Sequence, residues 1–115
     1  MLGVQEAIGD LNRALKEKKD KINDSIHKAG FMVEAEIKAS IAGQRAETRS
    51  VDTGRFLNSI TTNNARELES TITSTVYYGK YLEYGTSRIK PRRHFQNSGE
   101  RKKSEIISMI KTSIN

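Results

Sequence analysis

The first forty residues carry a single line of apolar residues at helical spacing. Its members are Val4, Ile8, Leu11, Leu15, Ile22, Ile26, Ala29, Val33, Ile37 and Ile41. The steps are three or four residues, apart from one step of seven in which Lys18 takes the intermediate position, and this period is typical of one face of an α-helix. No proline interrupts the line, so we predict a helix over residues 1–42, about 60 Å long if it is continuous. Gly30 is the position at which it would bend or break.

A helix of this length constrains what the rest of a 115-residue chain can do. It must lie across a sheet, pack on a neighbouring subunit, or break at Gly30. We expect the apolar line to be the core-facing side of the helix. Because only 35% of the residues are apolar and there is no Trp, the core is expected to be thin, and self-association would supply the missing buried surface.

A polar segment follows the predicted helix. Residues Gly43 to Gly54 contain Val51 as their one large apolar residue, which is typical of a loop. We expect a flexible loop, long for a chain of this size, that could become ordered on a partner. Asp52 or Thr53 is expected to cap a short helical turn that begins near Arg55, and Gly54 to supply the backbone freedom of the turn.

Alternation with a period of two then predicts two strands, at residues 60–65 and 70–77. Ile72, Ser74 and Val76 alternate with threonines, so the pair is expected to form an antiparallel hairpin with one solvent-facing side. The hairpin is expected to be an edge of the sheet or to face another subunit.

Helical spacing returns over Tyr77–Tyr84 and ends at Gly85, a residue typical of a helix C-cap with positive φ. An extended basic loop containing Pro91 follows, and then a last helix over residues 95–114. The predicted fold class is therefore α+β: a long N-terminal helix and a C-terminal helix packed on a small antiparallel sheet, with a short helix before the basic loop. We expect a single domain over residues 1–115, made of the long helix (1–42), the flexible loop (43–54) and the remainder (55–115).

The net charge of +6 belongs to one segment. Between residues 88 and 103, Glu100 is the one acidic residue and the rest of the chain is neutral overall. The basic residues of the segment are Arg88, Lys90, Arg92, Arg93, Arg101, Lys102 and Lys103. Such a segment could contact nucleic-acid phosphates without reading sequence. It could equally meet an acidic partner surface or be a solvated face, and Phe95 alone is too little aromatic content for strong single-strand binding.

Several kinds of chemistry find no support in the residues. Without Cys there is no thiolate zinc site and no Cys nucleophile. The tripeptide Asp-Thr-Gly at 52–54 matches the catalytic turn of aspartic proteases, but it lacks the apolar strands that hold such a turn. His27 and His94 show no metal-ligand spacing and are expected to be ordinary surface or packing residues. We therefore predict no enzyme activity and no cofactor.

The order of three short elements resembles a family of small tail-component proteins of tailed phages, described as head–tail joining, neck or tail-completion proteins. The elements are VDTGRFLNSI (51–60), VYYGKYLEYGT (76–86) after a hairpin, and KPRRHF (90–95) before a final helix. They are similar to the family's TG-x-L-x-x-S-I, YA-x-x-x-E-[FY]-G-T and proline-rich turn. Gly79 stands where the family often has Ala, and His94 where Pro is common. The resemblance covers about residues 51–112.

The resemblance implies a ring, usually of six copies, at the head-proximal end of the tail. The implied partners are other copies of the chain, the tail tube protein and the head-completion or connector protein. DNA would pass through the lumen and could be touched there without sequence preference. The residues expected to contact partners are Arg45, Arg49, Asp52, Arg55, Tyr78, Glu83, Arg88, Lys90, Arg92 and Arg93.

The same resemblance assigns further roles around the short helix. Gly54, Gly85 and Pro91 are expected to define turns, and Glu83 to lie beside a basic residue, either Arg55 or an arginine of the next subunit. Five residues are expected to pack this helix between the hairpin and the long helix: Tyr77, Tyr78, Tyr81, Leu82 and Tyr84. Two readings stay open besides this one, a phage-encoded basic nucleic-acid-binding module and a capsid-associated minor structural protein.

Location follows from the same reasoning. No stretch has the apolar length that a bilayer span needs, and the N-terminus lacks the pattern of a signal peptide. We expect no membrane contact, assembly in the host cytoplasm, and a final place in the tail or neck of the virion.

Overall fold

The fold is known from a computed structural model that describes residues 2–51 and 54–114. The helices are α1 (Leu2–Ile41), α2 (Arg55–Asn58), α3 (Gly79–Tyr84) and α4 (His94–Ile114). The strands are β1 (Ile60–Asn63) and β2 (Thr71–Ser74), which form a two-stranded antiparallel sheet. The predicted α+β class is confirmed, with both strands shorter than predicted. No helix within the described residues has the length and apolarity to cross a membrane.

Helix α1 is continuous through Gly30. A side chain at this position would overlap the Ser70 hydroxyl and the Thr62 methyl group. The hairpin therefore approaches the helix backbone closely at Gly30, and the absence of a Cβ permits that approach. Thr62 completes the contact by donating its hydroxyl to Glu34 Oε1 at 3.0 Å.

The hairpin packs one face on α1 and exposes the other. Ile60 pairs with Ser74, and Thr62 with Ile72, and these four residues are buried or half-buried. The alternate threonines, such as Thr73, are exposed. The predicted solvent-facing side is confirmed.

The core is built around the C-terminal half of α1. Ile37, Ile41, Phe56 and Ile60 are its buried centre. Half-buried apolar residues surround it: Val33, Val51, Leu57, Ile72, Val76, Tyr78, Leu82 and Phe95. Helix α4 runs antiparallel to α1 and covers this half, with its first residues near Ser40 and Ile106 near Ile26.

The N-terminal half of α1 extends beyond this body, and the molecule measures 72 × 24 × 23 Å. Ile8, Leu11 and Leu15 are exposed by 54%, 58% and 57%. The expectation that the whole apolar line faces the core is therefore wrong for this half. It holds for Ala29, Ile37 and Ile41, which are buried.

Candidate functional site

Helix α3 presents two different faces. Tyr78, which precedes it, and Leu82 pack against the core, with the Tyr78 ring 6.1 Å from that of Phe56. Tyr77 and Tyr84 are each exposed by 77%, and Tyr81 by 43%. The expectation that all four tyrosines pack inside is therefore wrong. The helix has only six residues, so one narrow side meets the core and the other side chains point outward. We call Tyr77, Tyr81 and Tyr84 the tyrosine face.

A shallow groove lies beside the tyrosine face. It runs between the end of β2, one side of α3 and the start of α4, and Tyr77 and Tyr84 line it together with Lys80. Its lining includes the buried Glu83 and the half-buried Phe95. The groove therefore offers aromatic and apolar contact area with a lysine at its side.

Glu83 holds the start of α4. Its two carboxylate oxygens accept hydrogen bonds from the backbone N–H groups of Phe95 at 2.8 Å and Gln96 at 3.0 Å. The first amides of a helix have no partner within the helix, and an anion there is stabilised by the helix dipole. Glu83 was expected beside a basic side chain, and in the structure these two amides take that place.

The turn after α3 has the geometry that glycine permits. Gly85 has φ 77° and ψ 175°, so the positive φ predicted for it is confirmed. The chain then turns back through a hydrogen bond from Thr86 N to Ile89 O, and Arg92 N donates to Leu82 O at 2.7 Å. Ile89 O and the ring of Pro91 lie where a side chain on Gly85 would stand. Gly54 also has a positive φ, 80°, at the start of α2, whereas Asp52 and Thr53, the predicted caps, lie outside the described residues.

Several of the predicted contact residues come together at the end of the molecule where α1 stops. Arg49, Arg55 and Arg92 line one cleft together with Tyr78, and Arg88, Lys90 and Arg92 line a second one beside it. Among the described residues, no Asp or Glu lines either cleft. We call Arg49, Arg55, Arg88, Lys90 and Arg92 the basic end. Asp52, also predicted here, lies outside the described residues.

Arg92 has an internal role as well. It is half-buried, and its guanidinium donates to Ser50 Oγ at 2.8 Å and to the backbone oxygen of Arg49 at 3.3 Å. Arg93 lies next to it with φ 52° and donates to Gln96 at 2.7 Å. Of these two arginines, Arg93 is the one whose side chain is exposed.

Part of the predicted basic segment is used inside the molecule. Arg101 donates two hydrogen bonds to Glu47, at 2.7 and 2.8 Å, and one to Glu36 at 2.9 Å. Arg45 donates to Glu36 at 2.7 and 3.1 Å, and Lys102 approaches Glu36 and Glu105. Arg45 was predicted to meet a partner, and here it joins the loop to α1. Within the predicted basic segment, Arg88 and Lys90 of the basic end are among the residues that remain exposed.

These ion pairs shift the acidities of their members. The hydrogen bonds from Arg101 outweigh burial and lower the pKa of Glu47 to about 2. Those from Arg45 do the same for Glu36, whose pKa is also lowered. Both side chains are 4% exposed, so each carboxylate is a buried charge with matched donors. The loop 43–51 is thereby attached to both long helices, which its polar composition did not indicate.

His94 is fully buried and bonded at both ring nitrogens. Ser40 Oγ lies 2.7 Å from Nδ1, and Ser50 Oγ 2.7 Å from Nε2. Ser40 donates its own proton to Glu47 at 2.5 Å, so its oxygen accepts from Nδ1–H. In the neutral ring Nε2 then accepts from Ser50, whose hydroxyl also lies 3.2 Å from the backbone oxygen of Thr48. The result is one chain of hydrogen bonds running from Arg92 through Ser50, His94 and Ser40 to Glu47. Burial lowers the pKa of His94, which favours this neutral ring.

This chain of hydrogen bonds joins α1, the loop and α4. His94 was predicted to be an ordinary surface or packing residue, and it is a packing residue with a specific polar role. Within the described part of the chain, no group of three His, Asp or Glu side chains is placed to hold a metal ion. Large exposed side chains are instead found on the tyrosine face, at the basic end and along the first part of α1.

Most of the chain matches a known protein family. Residues 5–85 match the family model described as "Bacteriophage HK97-gp10, putative tail-component". The match spans α1 to the turn at Gly85, and the chain belongs to this family. Membership supports a structural role in a tailed phage. Searches of curated proteins and of solved structures found no significant match.

The extent of the match differs from the resemblance seen in the three short motifs. Those motifs lie between residues 51 and 95, whereas the family model also includes the long helix from residue 5. The match ends at Gly85, before the basic loop and α4. The match thus includes α1, the loop, α2, the hairpin and the tyrosine-bearing motif, and the basic end is partly contributed by residues beyond it.

Proposed function

We propose that this chain is a tail-completion or head–tail joining protein that forms a ring, of six copies, at the head-proximal end of the tail. The ring would stack on the tail tube protein on one side and meet the head-completion or connector protein on the other. The chain would act by assembly and not by catalysis. Family membership supports the tail assignment, and the arrangement of exposed residues supports the joining role.

The observation that carries this proposal is the exposure of the tyrosine face. Tyr77 and Tyr84 belong to the motif that resembles the family, yet they contribute little to the core. Tyrosine combines a large apolar ring with a polar tip and is enriched at protein interfaces. Placed along a groove with Lys80, these rings are suited to receive a segment of another subunit.

The basic end supports a position near the DNA path. Arg88 and Lys90 are exposed, and no described acidic residue lines their cleft. In a ring, six copies of this end would give a positive surface. It could meet an acidic connector surface or the phosphates of passing DNA.

Light scattering and electron microscopy test the proposal, with the protein alone and mixed with tail tubes of the same phage. We expect ring-sized particles, or particles that appear when tubes are added. Tyr77→Ser combined with Tyr84→Ser should reduce tube binding at least ~10-fold, because aromatic residues dominate interface energies. Phe31→Ser is the matched control, since Phe31 is also exposed, by 57%, but lies on α1. A protein that stays monomeric and ignores tubes would count decisively against the joining role.

The basic end favours one second candidate, a nucleic-acid-binding module. That function predicts DNA affinity that falls steeply with salt and drops when Arg88 and Lys90 are changed to Ala. Arg92 is unsuitable for this test because it also holds Ser50. Absence of binding at low salt would remove this candidate and leave the joining role untouched.

A further inference from the structure

The first part of α1 has an apolar side that is exposed to solvent. We call residues 5–18 the arm. Each of its residues except Gly9 is exposed, and the body begins at Lys19, which pairs with Glu67 of the hairpin turn at 2.9 Å. Ile8, Leu11 and Leu15 continue the line that is core further along the same helix. A row of exposed apolar side chains marks an interaction site, so a helical arm with this line calls for a covering partner.

Apart from Lys18, the charged residues of the arm lie away from the apolar line. The line follows heptad spacing, with Ile8 and Leu15 at one core position and Leu11 and Lys18 at the other. The positions that flank it within the arm are Gln5, Ala7, Asn12 and Ala14, which carry no charge. The charged residues of the arm other than Lys18 lie on the outer side, where Asp10 and Arg13 pair at 2.6 Å.

We infer that the arm of a second copy of this chain covers this line, and that the two arms run antiparallel. Antiparallel arms centred between residues 9 and 10 place Ile8 of each copy against Leu11 of the other. The flanking positions then bring Ala7 opposite Ala14 and Gln5 opposite Asn12, so small or uncharged residues meet throughout. A parallel pair would instead set Lys18 against Lys18 within the apolar seam.

The sequence of the arm thus complements itself, and this favours a second copy over a partner with a charged rim. A partner with a charged rim would find no opposite charge beside the line, whereas another arm offers an equally neutral rim. The contact is two-fold and closes on itself as a dimer. It therefore belongs to the free protein, because a ring with different partners on its two sides has no two-fold axis. It leaves the tyrosine face and the basic end free, and it does not rest on the proposed function.

The absence of Cys makes a direct test possible. Ile8→Cys and Leu11→Cys proteins, mixed and oxidised, should form the mixed disulfide in preference to either symmetric one. Arg13→Cys, on the outer side of the arm, is the control and should remain unlinked. Symmetric disulfides from each variant alone would show parallel arms and overturn the arrangement. Equal linking of Arg13→Cys would overturn the pairing itself.

Sedimentation of the full chain measures the strength of the contact. Leu11→Gln and Leu15→Gln keep good helix-forming residues at exposed positions, so the body should fold as before, which circular dichroism checks. Each substitution removes two buried leucines from a dimer and should weaken it ~100-fold or more. Lys16→Gln, on the outer side, should leave it unchanged. A wild-type chain that is monomeric at all concentrations, or Gln variants that dimerise as wild type does, would refute the inference.

Discussion

Arg101 and Glu47, 54 residues apart in the chain, are joined by two parallel hydrogen bonds of 2.7 and 2.8 Å. This two-fold pairing of guanidinium and carboxylate is the strongest geometry available to an ion pair. It connects the loop after α1 to α4, next to the fully buried Ser40 and Ser98. This ion pair therefore fixes the loop beside the basic end to helix α4.

We predict that Glu47→Gln removes an acid-sensitive part of the stability. The pKa of Glu47 is lowered from 4.5 to about 2 in the folded chain, so the unfolded chain takes up its proton first as the pH falls. The resulting stability, roughly 2 kcal/mol after allowance for solvent screening, is present above pH 4.5 and is lost between pH 4.5 and 2. Urea unfolding at several pH values should show a flatter profile for the variant. Glu105→Gln, on the exposed pair with Lys102, should leave the slope unchanged.

We predict a second pH effect, at a higher pH, from His94. Burial lowers its pKa below 6.5, so the unfolded chain binds a proton first here too, and stability falls as the pH drops through 6.5. His94→Gln should abolish this step and cost about 1–3 kcal/mol at neutral pH, because a buried serine hydroxyl loses its partner. His27→Gln is the control, since His27 makes a single bond to the backbone of Arg66. A variant that keeps the step near pH 6.5 would show that another group causes it.

The sequence predicted the helices and strands of this fold better than it predicted which of their residues are buried. The period of the apolar line located α1 to within a residue at each end, because a helix is a local property of the chain. The apolar line could not reveal which part of α1 is buried by the rest of the chain. Leu11 and Ile37 are both large apolar residues at the same helical spacing, although only Ile37 is buried. Exposure depends on α4, which comes into contact from some 60 residues further along the chain. The motif of α3 was likewise recognisable, but only the short helix in place shows which tyrosines face outward.

The buried polar residues were missed for a related reason. Glu47 and His94 lie in polar stretches that look solvated, and their partners are distant in sequence. One signal was present: His94 stands where the resembling family commonly has Pro. A Pro at 94 would push the preceding residue towards extended backbone, whereas Arg93 has φ 52°. The departure thus marks a locally different start of α4, with a histidine that can bond both Ser40 and Ser50.

We predict that Glu83→Ala destabilises the start of α4. The carboxylate is the acceptor for the amides of Phe95 and Gln96, and loss of a helix cap costs about 0.5–2 kcal/mol. Hydrogen exchange should speed up at those two amides more than at Ile110, deeper in the helix. Glu100→Ala is the matched control, because Glu100 is exposed on the same helix. Equal exchange in both variants would show that the cap does not hold the helix end.

We predict opposite effects from adding one methyl group at two glycines. Gly85 has φ 77° and ψ 175°, a region open to glycine almost alone, and a Cβ there would lie 2.7 Å from Ile89 O and 2.8 Å from Pro91. Both neighbours belong to the backbone or ring of the turn and cannot move aside cheaply, so Gly85→Ala should cost at least about 2 kcal/mol. Gly99, within α4, has no atom within 4 Å of an added Cβ, so Gly99→Ala should stabilise by about 0.5–1 kcal/mol. Thermal unfolding of the two variants measures both changes, and a Gly85→Ala protein as stable as wild type would mean that the turn does not need its left-handed glycine.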